Sequence, residues 1–530
     1  MVGAALLCFA VGAPGLPHAL VIGAAFAGAL AISAAALAVG PRRPDPRRRR
    51  VMRVGMILAA IQVTGLARAF RVGVVHPDET AERRAIGEGD AVLTNPRLSS
   101  DRVTQPRGRI LAADGTVLAR SRASGDVFHR EYAEPSTYSL VGYDSPLKFG
   151  LSGLEASLDD DLTGAGHLTV RGAVERALLD RATTTSSVRL TIELPSQRLA
   201  AELLDGLVGS AILVECASGR IIAMASSPTV DPNRLAAFDD ESASASQEYW
   251  DDVLLDPGRP LLSRATTGLY PPGSTFKVVT ASAAIELGLA SPDSVFEDSG
   301  VLTIGGRALV EHNRPDTSRI EWTLSEGLAY SLNLVYAQVG LEVGGEDLAR
   351  IARGFGLGES IPTDLPSASG QIASRPAFLD TASALADTAF GQGELLVTPL
   401  HMALVATAIA RDGTVPIPTL VDRVTAGDDV LERRAPEVWR RAVSEATAAA
   451  LDQMMVDSAT YGYARTAAIE GVRIGAKTGT AESGSDAPHS WFIGYRSGGD
   501  RSVAVAVCIE YGGEGGGLAL TVGRELLRVS

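Results

Sequence analysis

Hydrophobic and polar positions divide the chain into stretches of different character. Residues 1–40 carry no Asp, Glu, Lys or Arg, and 19–39 is an unbroken run of Ala, Leu, Val, Ile, Gly and Phe with one Ser. A helix of that length reaches about 30 Å, enough to cross a bilayer core. The next ten residues, Pro-Arg-Arg-Pro-Asp-Pro-Arg-Arg-Arg-Arg at 41–50, cannot enter a core and are expected to stay cytoplasmic. A second apolar run, 54–67, spans only if Arg68 and Arg71 snorkel to the far interface. One expectation is therefore a membrane hairpin of 19–39 and 54–75, with everything beyond about residue 75 outside. Another is translation starting near Met52 or Met56, which leaves 1–50 out of the mature protein. A cleaved signal peptide fits less well, because no small-residue cleavage site follows the second run.

From 76 to 185 the chain is polar, with short β-like alternations at Gly108-Arg-Ile-Leu-Ala and Gly115-Thr-Val-Leu-Ala. This predicts a small α+β domain or an extended stalk. A strand is predicted at 187–192 and a helix at 195–207. A strand pair follows at 211–215 and 220–225, hinged at Ser218-Gly219. The last third alternates Ala-rich helical stretches, 382–411 and 443–456, with continuous apolar runs such as Val503-Ala-Val-Ala-Val-Cys-Ile. No fixed repeat is present.

Composition narrows the class. The 530 residues are 46% hydrophobic and 21% charged, which excludes global disorder and allows two or three domains. Net charge is −14. Residues 1–75 hold nine Arg against Asp45, a local +8, so the remaining chain carries −22 (−14 less +8). A body that acidic argues against nucleic-acid binding. Cys8, Cys216 and Cys508 are far apart, so no metal-ligand spacing and no disulfide framework is expected. Of 48 basic residues only Lys148, Lys277 and Lys477 are lysine. Arg keeps its proton in proteins whereas Lys can release one, so the few Lys positions invite a chemical reading.

Two of them sit in distinctive surroundings. In Tyr270-Pro-Pro-Gly-Ser-Thr-Phe-Lys277 the Pro-Pro-Gly breaker precedes a helix-compatible run that ends at Gly288. Ser274 then lies at a helix N-terminus, with Lys277 one turn on and on the same face. The helix end favours a developing anion, and a neutral amine beside the hydroxyl can take its proton. A second segment pairs Ser331 with Asn333, a hydroxyl and an amide that one turn can present to one cleft. Asn is scarce, at positions 95, 233, 313 and 333. The third segment is Ile474-Gly-Ala-Lys-Thr-Gly-Thr-Ala481. It reads as an edge strand on which Gly479 lets a ligand approach the backbone, and Lys477, Thr478 and Thr480 suit a carboxylate. The seven His residues show no pairing, and His489 reads as a satisfied structural residue.

In order, Ser274-x-x-Lys277, Ser331-x-Asn333 and Lys477-Thr-Gly479 resemble the motif set of β-lactamases and penicillin-binding proteins. Taken with Pro106-Arg-Gly-Arg-Ile-Leu-Ala-Ala-Asp-Gly115, Gly150-Leu-Ser-Gly-Leu-Glu155, Asp231-Pro-Asn233 and Phe390-Gly-Gln-Gly-Glu-Leu-Leu-Val-Thr-Pro399, the chain from about 93 to 530 resembles a class B penicillin-binding protein. These are monofunctional peptidoglycan D,D-transpeptidases, and the closest likeness is to the short actinobacterial PbpA/FtsI-like type. The resemblance implies an α/β serine-acyltransferase domain of the penicillin-binding/β-lactamase-like kind, an antiparallel sheet flanked by helices. It further implies an α+β pedestal and N-terminal transmembrane helices. The expected division is a membrane anchor at 1–75, a pedestal or dimerisation-like domain at 76–185 and a transpeptidase domain at 186–530. Ser274 would be the nucleophile, Lys277 its base and Ser331 a proton shuttle tied to both lysines. Asn333 would hold a substrate amide, and Lys477, Thr478, Gly479 and Thr480 the terminal carboxylate. Backbone N–H groups of Ser274 and Thr480 would form the oxyanion hole.

The implied partners are D-Ala-D-Ala stem peptides, β-lactams, the membrane and a glycosyltransferase of the SEDS type with other cell-wall assembly proteins. No cofactor or metal is implied. The resemblance places the catalytic domain outside the cell membrane. The middle motif reads Ser-Leu-Asn rather than Ser-Asp-Asn, and Ala112-Ala-Asp-Gly115 stands where the pedestal motif usually has Asp-Arg-Asn-Gly. A class A β-lactamase is disfavoured, because no Asn follows Asn333 to complete a Glu-x-x-Leu-Asn segment. A D,D-carboxypeptidase and an inactive cell-wall scaffold are the remaining alternatives.

Overall fold

The computed structural model describes residues 85–86, 92–93, 102–164, 185–482, 484, 487–498 and 501–530. The predicted spans at 19–39 and 54–75 lie outside them, and no helix among the described residues is long and apolar enough to cross a membrane. Residues 107–162 and 185–530 form one compact unit. In the other, Ala85–Ile86 pairs with Val92–Leu93.

The strands of the main unit used below are β1 (Ile110–Leu111), β2 (Val117–Ser124), β3 (Val127–Tyr132), β4 (Ser187–Leu190), β5 (Gly209–Glu215), β6 (Ile221–Ser227), β7 (Val421–Ala426), β8 (Asp429–Arg433), β9 (Arg473–Ala481), β10 (His489–Ser497) and β11 (Val503–Ile509). Its longer helices are α1 (Leu194–Leu203), α2 (Asp240–Leu255), α3 (Lys277–Glu286), α4 (Leu324–Ala329), α5 (Asn333–Val343), α6 (Gly345–Gly354), α7 (Ala382–Ala389), α8 (Pro399–Ile409), α9 (Glu445–Thr460) and α10 (Leu518–Val529).

The five-stranded antiparallel sheet runs β6-β5-β11-β10-β9 and is covered on both faces. That explains why its inner strands β5 and β11 read as continuous apolar runs rather than alternating ones. In β11 the small residues Ala504, Ala506 and Cys508 join the core that contains α8. The larger Val503, Val505, Val507 and Ile509 join the core formed with α1 and α10. The small set lets α8 lie close to the sheet, and every residue of that helix is buried. Its start is a capping box. The Thr398 side chain accepts from His401 N–H, and Thr398 N–H donates to His401 Nδ1 at 3.2 Å. Because Nδ1 accepts, Nε2 carries the proton and donates to the Glu359 carbonyl at 3.0 Å.

The sequence pattern predicts one helix over 382–411. The structure has two, α7 and α8, separated by Gly391-Gln392-Gly393. Gly391 (φ +89°) and Gly393 (φ +74°) occupy left-handed backbone, which a continuing helix does not tolerate. The strand pair at 211–225 and the turn at Gly219 are as expected, and the helix predicted at 195–207 closes earlier, at Leu203.

A six-stranded sheet, β8-β7-β4-β1-β2-β3, draws strands from both sides of residue 186. Its single parallel pair is β1 with β4; the others are antiparallel. Beside it, two of the quoted sequence motifs meet. Arg107 Nε donates to Glu155 at 3.1 Å and Arg130 Nε to the same carboxylate at 2.6 Å, all three side chains being buried. Asn233, from a third motif, accepts from Tyr132 N–H at 2.9 Å.

Candidate active site

The chain approaches the site through a clamped turn. Tyr270 bridges antiparallel to Val397, and Gly273 N–H donates to the Gly391 carbonyl at 3.0 Å. Trp491 Nε1 donates to the Pro271 carbonyl at 3.0 Å. Gly273 has φ +53°, and a Cβ there would lie 2.8 Å from the Thr480 carbonyl carbon and nearer still to its oxygen. Only glycine lets the turn press against β9. One 3₁₀ turn, Gly273–Phe276, carries Ser274 and leads directly into α3, which opens on Lys277. Ser274 thus stands at a helix start, half-buried, as its sequence context predicts.

Lys277 is 0% exposed and Lys477 1%. By contrast Lys148, the third lysine, is exposed. Lys277 Nζ donates to Asn333 Oδ1 at 2.7 Å and to the Ser331 carbonyl at 2.5 Å, and lies 3.4 Å from Ser331 Oγ. Lys477 Nζ donates to the same Oγ at 2.9 Å and to the Thr478 carbonyl at 2.8 Å. One hydroxyl therefore joins two amines whose residues are 200 positions apart. Ser331 sits between α4 and α5 at φ +60°, left-handed backbone that an L-residue adopts only when its surroundings hold it there. Among the described residues no hydrogen bond closes on Ser274 Oγ.

Burial dominates the electrostatics. It brings the Lys277 ammonium down to about 7, against the opposing pull of the Glu311 carboxylate. Burial also pushes Lys477 well below the usual lysine range, and the charge of Lys277 adds to the effect. Two ammonium groups sharing one hydroxyl in a dry pocket repel each other, so the arrangement favours at least one neutral amine.

β9 forms the opposite wall as the edge strand of its sheet. Gly479 is in register with Trp491, and a Cβ on it would meet Thr275 Cγ2 at 2.8 Å. Thr478 is buried and Thr480 exposed. Gly515 N–H donates to Thr480 Oγ1 at 3.1 Å, which leaves the hydroxyl proton free to point outward. Of the eight residues singled out in sequence, Lys277, Ser331, Asn333 and Lys477 share one hydrogen-bonded network, and Ser274 stands on the turn that packs against β9, the strand of Thr478, Gly479 and Thr480.

Sequence reading missed Glu311, Asn313 and the supporting role of Gln392. Asn313 Nδ2 donates to the Ser331 carbonyl at 3.0 Å, and Gln392 Nε2 reaches the Thr480 carbonyl at 3.4 Å. Scarcity of Asn was a signal for Asn313; nothing marked Glu311. His489 is buried and accepts from Tyr511 N–H at 3.1 Å, a structural role. No group of three or more metal-ligating side chains occurs among the described residues.

Two family models match the chain. The penicillin binding protein transpeptidase domain covers residues 209–528, and the penicillin binding protein A dimerisation domain covers 107–188. The chain is 34% identical to the peptidoglycan D,D-transpeptidase PbpA of Mycolicibacterium smegmatis, over 82% of this chain and 90% of that one. It is 31% identical to its Mycobacterium tuberculosis namesake, over 82% and 91%. Among solved structures, the ceftriaxone acyl-enzyme of M. tuberculosis penicillin-binding protein A superposes with a TM-score of 0.74 at 31% identity, covering 81% of this chain and 99% of that one. The penicillin G acyl-enzyme gives 0.72 at 31%, covering 80% and 99%.

Proposed function

The chain belongs to the penicillin-binding protein transpeptidases, and from that premise we propose that it cross-links peptidoglycan through an acyl-Ser274 intermediate that β-lactams also form. The carrying observation is the buried Lys277–Ser331–Lys477 network beside a serine at a helix start.

The chemistry follows from the groups at hand. Neutral Lys277 takes the Ser274 proton as the oxygen attacks the carbonyl of the penultimate D-Ala. The Ser274 and Thr480 N–H groups receive the developing oxyanion, where one donor is worth about 3–4 kcal/mol. Lys277 hands the Ser274 proton to Ser331 Oγ, which Lys477 also holds, as Ser331 gives its own to the departing terminal D-Ala amine, so Lys277 is neutral and Ser331 a hydroxyl once more. An amine of a second stem then attacks the acyl-enzyme; Lys277, neutral again, accepts that amine's proton and returns it to the departing Ser274 oxygen. Asn333 holds the substrate amide. Lys477, Thr478, Gly479 and Thr480 hold the terminal carboxylate, which suits two hydroxyls and an amine that the incoming anion helps to keep its proton.

On this reading 186–530 is the transpeptidase domain, 76–185 the pedestal and 1–75 the anchor. The anchor holds the enzyme in the cell membrane with its catalytic domain outside, beside a SEDS-type glycosyltransferase that supplies glycan strands. What supports the anchor is the charge-free run at 19–39 followed by the Arg cluster. The test is stoichiometric labelling by a fluorescent penicillin. Ser274→Ala should abolish it, and Lys277→Arg should be unreactive because a guanidinium cannot act as base. Labelling that survives Ser274→Ala removes the nucleophile assignment.

A further inference from the structure

The loop before α4 holds a carboxylate that the mechanism does not use. Glu311 is buried, 7% exposed. Its Oε1 accepts from His312 N–H at 3.0 Å and Asn313 N–H at 2.9 Å. Its Oε2 accepts from Leu334 N–H in the first turn of α5 at 2.9 Å. Three backbone donors from two segments therefore converge on one side chain and fasten the loop to the helix that begins with Asn333. The loop in turn delivers Asn313 to the site. Asn313 Nδ2 donates to the carbonyl of Ser331, the oxygen that also receives Lys277 Nζ. From the other side Tyr463 OH donates to the Asn313 carbonyl at 2.5 Å.

Ser331 needs such support. An L-residue at φ +60° sits in sterically disfavoured backbone, and its Oγ is the meeting point of the two amines. Were its carbonyl free to turn, Lys277 would lose a hydrogen bond and Ser331 its place between the lysines. The groups facing the Lys277 amine are Ser331 and Asn333, Lys477 from β9, the Tyr336 ring of α5 with its centroid 5.6 Å away, and the Glu311 charge. Glu311 is thus the acid whose field opposes the loss of hydration that lowers the Lys277 amine.

We propose that Glu311 and Asn313 are positioning residues for acylation: Asn313 fixes the carbonyl that receives the Lys277 amine, and Glu311 locks the loop to α5 while placing a negative charge against that amine. This rests on Lys277 being the base. Neither side chain touches the substrate.

The experiment is the second-order rate of acylation by a fluorescent penicillin on the full chain, from pH 5.5 to 9. Rates are taken per labelled chain, so a variant that folds in part still reports. Glu311→Gln removes the charge that favours the protonated amine. The midpoint of the rate rise should then move to lower pH by about 0.5–1 unit. Asn313→Ala should lower the high-pH plateau about tenfold, the value of one hydrogen bond of ~1.4 kcal/mol. An unmoved midpoint in Glu311→Gln, or a wild-type plateau in Asn313→Ala, overturns the proposal. Lys277→Arg separates this from the reading beneath it. Wild-type labelling of Lys277→Arg sinks the base assignment, whereas an inert Lys277→Arg beside an unmoved Glu311→Gln midpoint sinks only the positioning role.

Discussion

Gly391→Ala should disable a nucleophile it never touches. Gly391 has φ +89°, so an alanine there first meets a backbone cost of about 1–2 kcal/mol. The second cost is steric. The new Cβ would lie 2.5 Å from the Gly273 carbonyl carbon and nearer still to its oxygen. These are backbone atoms, with no flexible side chain to swing aside. Gly273 cannot retreat either, since it already presses on the Thr480 carbonyl and the turn is tied through Trp491 Nε1 to Pro271. Relief must shift the 271–274 turn by roughly 1 Å, and a misplacement of that size costs about 100-fold in rate. Gly427→Ala isolates the first cost. Gly427 has φ +59° in the turn between β7 and β8, and a Cβ there meets nothing within 4 Å. Thermal melts and penicillin acylation rates should be taken for both variants. Both should melt below wild type, and only Gly391→Ala should lose acylation. A Gly391→Ala rate within about twofold of wild type refutes the steric coupling of the glycine loop to the serine turn.

Three further outcomes follow from the charges. With the Lys277 amine near 7 and active when neutral, acylation should climb about tenfold from pH 6 to pH 8, and a flat profile over that window contradicts the assignment. Burial holds His401 down to about 4, against an ordinary value of 6.5. The unfolded chain therefore binds a proton that the folded one refuses, and stability falls as pH drops from about 6.5 toward 4. Near pH 5 the loss is about 2 kcal/mol, and pH-dependent denaturant melts of His401→Gln should lack that part of the acid sensitivity. Glu155→Gln takes from buried Arg130 the carboxylate it shares with Arg107, which keeps Asp144 and Asp159, and should cost about 3–5 kcal/mol in an equilibrium unfolding measurement. A change under 1 kcal/mol would mean that water or a shift of Asp144 compensates.

Legibility in the sequence tracked the range of the interaction that decides each feature. The run at 503–509 declares a strand because both sheet faces are covered, a local consequence of where its side chains go. Ser274 and Lys277 sit one turn apart on the same helix start, so their pairing is local too. The break in 382–411 was hidden. Gly391 and Gly393 are tolerable in a helix by composition, and what forbids a helix there is the approach of Gly273, more than a hundred positions away. The six-stranded sheet was equally hidden. β7 reads as a modest polar alternation, and its partner β4 lies over two hundred residues earlier. Asn313 belongs to the same class, because its contact with Ser331 exists only once the loop has returned and Ser331 has turned left-handed.

The division of labour between Arg and Lys gains a physical reason from the burial pattern. Arg264 is fully buried, but it meets the Glu510 carboxylate at 2.8 Å, and that carboxylate also accepts the Tyr270 hydroxyl at 2.7 Å. Arg107 and Arg130 share Glu155 in the same way. Where the fold needs a permanent buried cation, it supplies guanidinium and a matching carboxylate. Lys277 and Lys477 are as deeply buried, yet their direct partners are neutral oxygens of Ser331, Asn333 and Thr478. A group so placed gains little from its charge and loses its hydration, so its proton is held loosely. That condition suits an amine that must accept a proton from one hydroxyl and return it through another. An arginine at either position would keep its charge with no carboxylate in contact to balance it, so the two lysines stand where this chain needs an amine that can be neutral.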